Sequence, residues 1–323
     1  MNRTLLGLLT AILLLPAAFS DPASASALPN TPAPASPTEE VAPVGMGVGQ
    51  ALVLGIVEGL TEYLPVSSTG HLKLTQHAMG IGLTEADKDA ANAYAICIQA
   101  GAILAVLGLY WRHIRRMVLG LVGRDPEGFG LVLNVGVAFL PAALVGLLFD
   151  DLIKDALFGL WPIVAAWFVG GFAILAVDRL FQGPRETDHH ELYRMGWKQA
   201  LLIGSMQCLA VWPGTSRSLA TILGGRFAGL SLGTSVTFSF LLGAVTLTAA
   251  TAWDSLKHGS EMLELYGLGS MAVGAAAATL SAIVAVRWMV HYLQRHSMAL
   301  FGWYRIGLAV VVAALVASGQ LSA

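Results

Sequence analysis

From Val48 onward the chain carries one apolar run after another, each long enough to cross a bilayer and separated from the next by short polar connections. A crossing helix takes about 20 residues. The runs centre on Ala91–Tyr110, Phe129–Phe149, Gly159–Leu180, Ser235–Trp253, Leu268–Val290 and Tyr304–Gly319. No water-soluble fold can bury so many such segments. The composition agrees, because only 12% of residues are charged, against about 25% in soluble domains. A net charge of −2 gives no reason to expect nucleic acid as a partner. The two cysteines, Cys97 and Cys208, lie in apolar stretches and read as packing residues, not as a disulfide or a zinc site.

The first 47 residues differ from the rest. Asn2-Arg3, the apolar run Leu5 to Leu15 and the small residues up to Ala25-Ser26-Ala27 have the form of a signal peptide over 1–27. An uncleaved anchor helix is the rival reading. The Pro-, Ala-, Ser- and Thr-rich stretch that follows, 28–47, reads as a disordered linker.

Two apolar stretches are too short to span. Val48 to Leu64 stops at Pro65, and Lys198 to Trp212 stops at Pro213, and a polar cluster follows each. Broken helices at membrane depth are tolerated where they are buried in protein or line a wet cavity. The two stretches resemble each other: Gly55-x-x-Glu58, Leu60 and Pro65 in one, Gly204-x-x-Gln207, Leu209 and Pro213 in the other. Each is followed by three spanning runs. The chain therefore divides into repeats over 48–182 and 198–323, joined by a loop at 183–197. An odd number of spans places the second repeat upside down, with the site where the broken helices meet. The expected fold is an all-α polytopic membrane protein with six transmembrane helices and two re-entrant pairs. Arg112, Arg115, Arg116 and Arg124, then Arg179, Arg185, Arg194 and Lys198, then Arg287, Arg295 and Arg305 mark loops expected on the cytoplasmic side. His113, His189, His190, His291 and His296 in or near these loops read as solvated.

The chemistry concentrates in the two breaks. Glu58 and Glu62 are four residues apart and share a helix face. An acidic residue at a membrane helix centre costs roughly 2.5–3.5 kcal/mol, so a pair of them implies a use. Paired carboxylates suit a hard divalent cation such as Mg2+ or Ca2+, or proton transfer. The turn Ser67-Ser68-Thr69-Gly70-His71 offers hydroxyls and backbone N–H groups for an anion. Ser67 can act as a nucleophile with His71 as its base, or His71 can itself attack phosphorus. The second turn contains Gly214, Thr215, Ser216, Arg217, Ser218 and Thr221, and the Arg217 fork matches phosphate oxygens. Gln207 and Gln99, in apolar segments, read as hydrogen-bonding support. The set suits attack on a phosphoanhydride, with charge stabilisation as the main effect.

Glu58-Gly-Leu-Thr-Glu62-Tyr-Leu-Pro-Val-Ser-Ser-Thr-Gly-His71 and Pro213-Gly-Thr-Ser-Arg-Ser218 resemble the two signature motifs of the undecaprenyl-diphosphate phosphatase family linked to bacitracin resistance. Ile98-Gln99-Ala-Gly-Ala-Ile-Leu-Ala-Val106, Pro141-Ala-Ala and Phe238-Ser-Phe-Leu-Leu242 resemble further family segments, and the likeness covers about residues 48 to 320. It implies hydrolysis of undecaprenyl diphosphate to undecaprenyl phosphate, recycling carrier lipid for peptidoglycan synthesis. It implies a divalent cation on Glu58 and Glu62, and a site facing the periplasm in the inner membrane. It also implies Ser67 and His71 as nucleophile candidates and Arg217 as diphosphate clamp. A homodimer is compatible with the family, though no stripe in the sequence requires one. The chain departs from the family pattern at Thr234-Ser-Val-Thr237, where an arginine is expected, and at Gly243-Ala-Val, where a proline is common. A polyprenyl-phosphate transporter is the alternative from another class, because inverted repeats with broken helices also build transporters. A carrier needs binding groups but no nucleophile. A structural membrane subunit would leave the buried charges unexplained.

Overall fold

The computed structural model describes residues 46–82, 85–157, 159–181 and 190–321. The proposed signal peptide and nearly all of the linker lie outside these residues. Every regular element among the described residues is helical. In order they are α1 (Val48–Thr61), α2 (Ser68–Ala78), α3 (Glu85–Leu109), α4 (Trp111–Leu121), α5 (Pro126–Leu157), α6 (Leu160–Leu180), α7 (Glu191–Arg194), α8 (Trp197–Gln207), a 3-10 turn (Cys208–Val211), α9 (Arg217–Phe227), α10 (Leu232–Leu293) and α11 (Ala299–Ala317).

Six segments are long and apolar enough to cross a membrane: Ala91–Leu109, Pro126–Leu148, Leu160–Leu180, Leu232–Leu256, Tyr266–Leu293 and Ala299–Ala317. The chain is a multi-pass membrane protein. Leu104, Leu147, Leu148, Val169, Leu280 and Val310 are exposed on these helices, as expected where lipid rather than water is the solvent. The fourth and fifth spans belong to α10, which departs from helical geometry at Gly267 (φ 68°, ψ 151°). That left-handed φ suits glycine. It lets the chain turn back, so that Phe240 from before the break and Val286 from after it share one buried cluster.

Two placements differ from the sequence reading. Arg112, Arg115 and Arg116 form part of a helix, α4, instead of a loop. There Arg116 makes two hydrogen bonds to Asp125, at 2.7 and 3.0 Å, and one to Glu127 at 2.6 Å. The Arg116 guanidinium holds the Asp125 carboxyl down at about 2. The pair's contribution is complete above the ordinary carboxylate range of about 4, and is lost as pH falls toward 2. His113 is likewise engaged, 2.8 Å from the Tyr193 hydroxyl. The second difference concerns Arg305. It is wholly buried inside α11, not in a loop, because the apolar stretch Ala299–Trp303 that precedes it belongs to the same helix.

The short helices cannot cross alone. At 14 residues α1 rises about 21 Å, against a hydrocarbon core of about 30 Å. Each short helix that opens a half packs on the other half instead. A Cβ placed on Gly55 of α1 would fall 2.2 Å from the Gly274 carbonyl oxygen of α10, and one on Gly59 would fall 2.1 Å from that of Ala278. In the other half, a Cβ on Gly204 of α8 would fall 2.3 Å from the Ala138 carbonyl oxygen of α5. Gly55 and Gly204 are the glycines that matched in sequence. With no hydrophobic drive between helices in lipid, such close approach of backbones is what holds them together.

Gly55→Leu and Gly204→Leu are therefore expected to destabilise the protein by about 1–3 kcal/mol each. Gly136→Ala, whose added methyl meets nothing within 4 Å, is expected to be neutral or to stabilise by up to about 1 kcal/mol. Thermal unfolding in detergent checks both. An unchanged melting temperature for Gly204→Leu would contradict the packing described.

Candidate active site

A helix break that is buried in protein frees backbone carbonyls that need partners, and those partners define the site. After α1 the Leu64 carbonyl accepts hydrogen bonds from the Ser218 hydroxyl at 2.9 Å and the Ser216 hydroxyl at 3.4 Å. Both donors come from the second turn. The Pro65 carbonyl accepts from Arg305 Nη1 at 3.3 Å. In the second turn the Gly214 carbonyl accepts from Arg305 Nη2 at 2.9 Å. The same guanidinium reaches the carbonyls of Ala166 (2.8 Å) and Trp167 (3.4 Å) on α6. One arginine thus holds both turns against α6. Gly214 is required twice over: its φ is 93°, and a Cβ there would meet the Ile163 carbonyl at 2.9 Å.

The two turns share an uncommon backbone. Ser67 (φ 75°) and Ser216 (φ 74°) are the non-glycine residues with positive φ among the described residues. Each is the residue immediately before the second helix of its pair. Conformations of this kind cost of order 1–3 kcal/mol and persist where their surroundings enforce them. Here the Ser67 carbonyl accepts from His71 Nδ1 at 2.6 Å, and the Ser216 hydroxyl accepts from the Leu219 N–H at 3.3 Å.

These caps place Ser68 and Arg217 as the first residues of α2 and α9. Both converge on one carboxylate. The Ser68 hydroxyl donates to Glu62 Oε2, and Arg217 Nη2 donates to Glu62 Oε1 at 2.8 Å. Glu58, one turn earlier on α1, is buried and interacts with both Glu62 and Arg217. Glu58 Oε1, the Tyr63 hydroxyl and Arg217 Nε and Nη1 have no hydrogen-bond partner among the described residues. The Arg217 guanidinium lies 5.7 Å from the Tyr63 ring. A buried cluster with orphaned charged atoms on both signs is built to receive something polar.

A cavity of about 260 Å3 opens beside this cluster. Of the residues expected from sequence, Glu62, Ser67, Ser68, Thr69, Gln207, Gly214, Ser216 and Arg217 line it. The others stand behind. Gly70 packs on Trp167, whose ring atom a Cβ would meet at 2.2 Å. Ser218 is fully buried on the Leu64 carbonyl. Thr221 donates to the Arg217 carbonyl at 2.8 Å and pairs with Ser239 at 2.6 Å. Thr215 does not line the cavity. His71 is buried, with both ring nitrogens engaged. A carbonyl only accepts, so Nδ1 carries the hydrogen toward Ser67, and Nε2 meets the Tyr304 hydroxyl at 2.7 Å. Its ring stacks on Tyr304 at 5.8 Å. The hydroxyl paired with a carboxylate is that of Ser68, which the sequence reading had placed among the binding groups.

The sequence reading missed Arg305, Tyr304 and Thr246. Thr246 lines the cavity and accepts from Gln207 Nε2 at 3.5 Å, and Gln99 lines the same wall. Arg305 was detectable, since the residues before it are as apolar as those after it. Arg305→Met would orphan the carbonyls it serves and is expected to lower stability by more than about 3 kcal/mol. Arg305→Lys should recover only part of that, because an ammonium lacks the planar fork that reaches several directions at once. Melting temperature in detergent measures both. A Lys variant as stable as the parent would show that charge alone suffices.

Residues 51–311 match the family described as "Bacitracin resistance protein BacA". The chain is 43% identical to the "Undecaprenyl-diphosphatase" of Sorangium cellulosum (strain So ce56), over 81% of this chain and 84% of that protein. It is 45% identical to "Undecaprenyl-diphosphatase 2" of Rhodospirillum rubrum, over 84% of this chain and 96% of that protein. A third relative, the "Undecaprenyl-diphosphatase" of Nitrosomonas europaea, is 43% identical over 84% of this chain and 95% of its own length. Helical architecture, motif residues and relatives agree, and the chain belongs to the BacA bacitracin resistance protein family.

Proposed function

We propose that this chain is an undecaprenyl-diphosphatase. It would hydrolyse undecaprenyl diphosphate to undecaprenyl phosphate and inorganic phosphate, as the names of its relatives indicate for them. The observation that carries the reading is the convergence of Ser68 and Arg217 on Glu62 at the wall of the cavity. A hydroxyl paired with a carboxylate is an activated nucleophile. A guanidinium with unpartnered N–H groups beside it answers the charge of a diphosphate. Binding alone would not need the first of these, which favours an enzyme over a carrier.

In the reaction, Ser68 Oγ bonds to the terminal phosphorus as its proton passes to Glu62. The phosphoanhydride bond breaks and undecaprenyl phosphate leaves with the bridging oxygen. Glu62 passes that proton to the departing undecaprenyl phosphate or to water, then takes one from the water that attacks the phosphoserine and returns it to Ser68 Oγ as the P–O bond breaks and phosphate is released. Arg217 holds the phosphate oxygens throughout. His71 acts from behind, fixing the Ser67 carbonyl and hence the turn that aims Ser68.

Glu58 and Glu62 are the residues that would hold a divalent cation. Among the described residues no group of three or more His, Cys, Asp or Glu could hold a metal ion, so an all-protein cage is not the type of site expected. Two carboxylates, one with an unpartnered oxygen, fit a Mg2+-like ion that takes its remaining ligands from water and substrate phosphates. When bound, the ion supplies charge neutralisation at the diphosphate.

The chain is assigned to the bacterial inner membrane. Its Arg-rich connections would be cytoplasmic and the two halves inverted with respect to each other, so the cavity faces the periplasm. It lies toward the end where α6 begins, because Trp212 on its wall donates to the Pro162 carbonyl at 3.1 Å.

Phosphate release from undecaprenyl diphosphate by purified protein tests the assignment. Release is expected to need Mg2+ or Ca2+ and to stop with chelator. Ser68→Ala, Glu62→Ala and Arg217→Ala are each expected to fall about 100-fold or more, and Ser67→Ala by less than about tenfold. Loss with Ser67→Ala and retention with Ser68→Ala would move the nucleophile to Ser67. Folded wild type that binds lipid phosphate without releasing any would make the protein a carrier.

A further inference from the structure

Away from the site, the helix that joins the first two spans has an exposed side of mixed chemistry. α4 lies between the end of the first span at Leu109 and the start of the second at Pro126. Those two ends stand at one face of the membrane, so α4 belongs to that face. Its 11 residues rise about 16 Å, too little to cross. It passes over the start of α5 instead of running along it. A Cβ on Gly120 would fall 2.2 Å from the Phe129 nitrogen, and one on Gly128 would fall 2.0 Å from the Arg116 carbonyl oxygen. Two successive turns of α4 thus meet the same turn of α5. The side of α4 turned to the protein carries Arg116, which pairs with Asp125 and Glu127, and His113, on the Tyr193 hydroxyl. At about 100° per residue, Leu121, Val118, Trp111, Arg115 and Arg112 follow one another around the remaining side. Trp111 is 61%, Val118 54% and Leu121 63% exposed. Both arginines are exposed and neither has a hydrogen bond or ion pair to another described residue. Ile114 and Leu119 complete the arc, half-buried. Water around this side would leave its apolar edge uncovered, and hydrocarbon around it would strand the arginine charges. The boundary between the two suits both edges.

We propose that α4 is an interfacial helix whose exposed side binds acidic phospholipid. Leu121, Val118 and Trp111 enter the outer part of the acyl layer, where a tryptophan ring is well placed. Arg115 and Arg112, next around the helix, hold the phosphate of a headgroup with net negative charge. A zwitterionic headgroup brings a positive charge with its phosphate, so two unpaired arginines prefer the acidic one. The acids nearby do not compete, because Arg116 already holds Asp125 and Glu127. Arg124, exposed just beyond the helix, adds charge of the same sign. This surface lies on a part of the chain that the reaction does not use, and its binding does not depend on the phosphatase reading.

Two measurements on the full-length protein test this, and neither reads phosphate release. In the first, protein from an equimolar mixture of phosphatidylglycerol and phosphatidylcholine is examined by native mass spectrometry for the lipid it retains. Wild type is expected to retain phosphatidylglycerol over phosphatidylcholine. Arg112→Gln/Arg115→Gln is expected to lose at least about fivefold of that preference with retained phosphatidylcholine unchanged. No preference in wild type, a preference that survives the double substitution, or an equal loss with Arg179→Gln/Lys198→Gln, which changes two exposed basic residues elsewhere, would overturn the proposal. The second measurement places a spin label at Val118→Cys or Leu121→Cys, with Cys97 and Cys208 replaced by Ala, in nanodiscs of the same lipids. Both labels are expected to be open to oxygen and shielded from a water-soluble nickel chelate. Labels as open to the chelate as one at Arg124→Cys would show α4 standing clear of the membrane, and the proposal would fail whatever lipid the protein retains.

Discussion

In a membrane protein a buried backbone carbonyl cannot go unpaired without penalty, and this protein breaks two helices where Leu64, Pro65 and Gly214 are buried. Arg305 makes the breaks tolerable. Its guanidinium meets carbonyls from both turns, at Pro65 and Gly214, and from α6, at Ala166 and Trp167. An arginine is suited to this because its planar donors point in several fixed directions. The site depends on the arrangement, since Glu62, Ser68 and Arg217 lie within a few residues of the carbonyls so tied.

The second constraint is the exchange of short helices between halves. α1 lies on α10 through Gly55 and Gly59, and α8 lies on α5 through Gly204. The exchange also explains why equivalent positions carry different chemistry. Ser68 and Arg217 each open the second helix of their pair after a serine with the same uncommon backbone. One position supplies a hydroxyl, the other a fixed charge, and both reach the same carboxylate of α1. Gln207, which matches Glu58 in the sequences of the two breaks, is uncharged and lines the cavity, whereas Glu58 does not. Carboxylates from α1 and the guanidinium from α9 give a buried charge arrangement that neither segment could hold alone.

What could be read from sequence was what local chemistry dictates. The span positions follow from hydrophobic length alone, and the structure moves their ends by only a few residues, apart from the last span, which begins at Ala299. The two breaks follow from Pro65 and Pro213 with the polar clusters behind them. The cast of site residues was legible because carboxylates, hydroxyls and an arginine in apolar surroundings have few other uses. Their roles were less so. Ser67 and Ser68 are adjacent, and a turn of one residue decides which hydroxyl meets Glu62. His71 looks like a nucleophile by composition, yet the Ser67 carbonyl and Tyr304 occupy its two nitrogens, and Tyr304 lies in the last helix, far along the chain.

By itself, then, the sequence determined a polytopic helical protein with its chemistry gathered at two broken helices, because hydrophobic length, prolines and buried charge act locally and leave a local signature. Only the tertiary structure decided which hydroxyl, which helix faces and which distant arginine serve the site. Those choices are set by hydrogen bonds between segments as far apart as Pro65, Gly214 and Arg305, and by glycine contacts between the two halves. Pairings at such separation depend on how the helices pack, which no periodicity within one segment records.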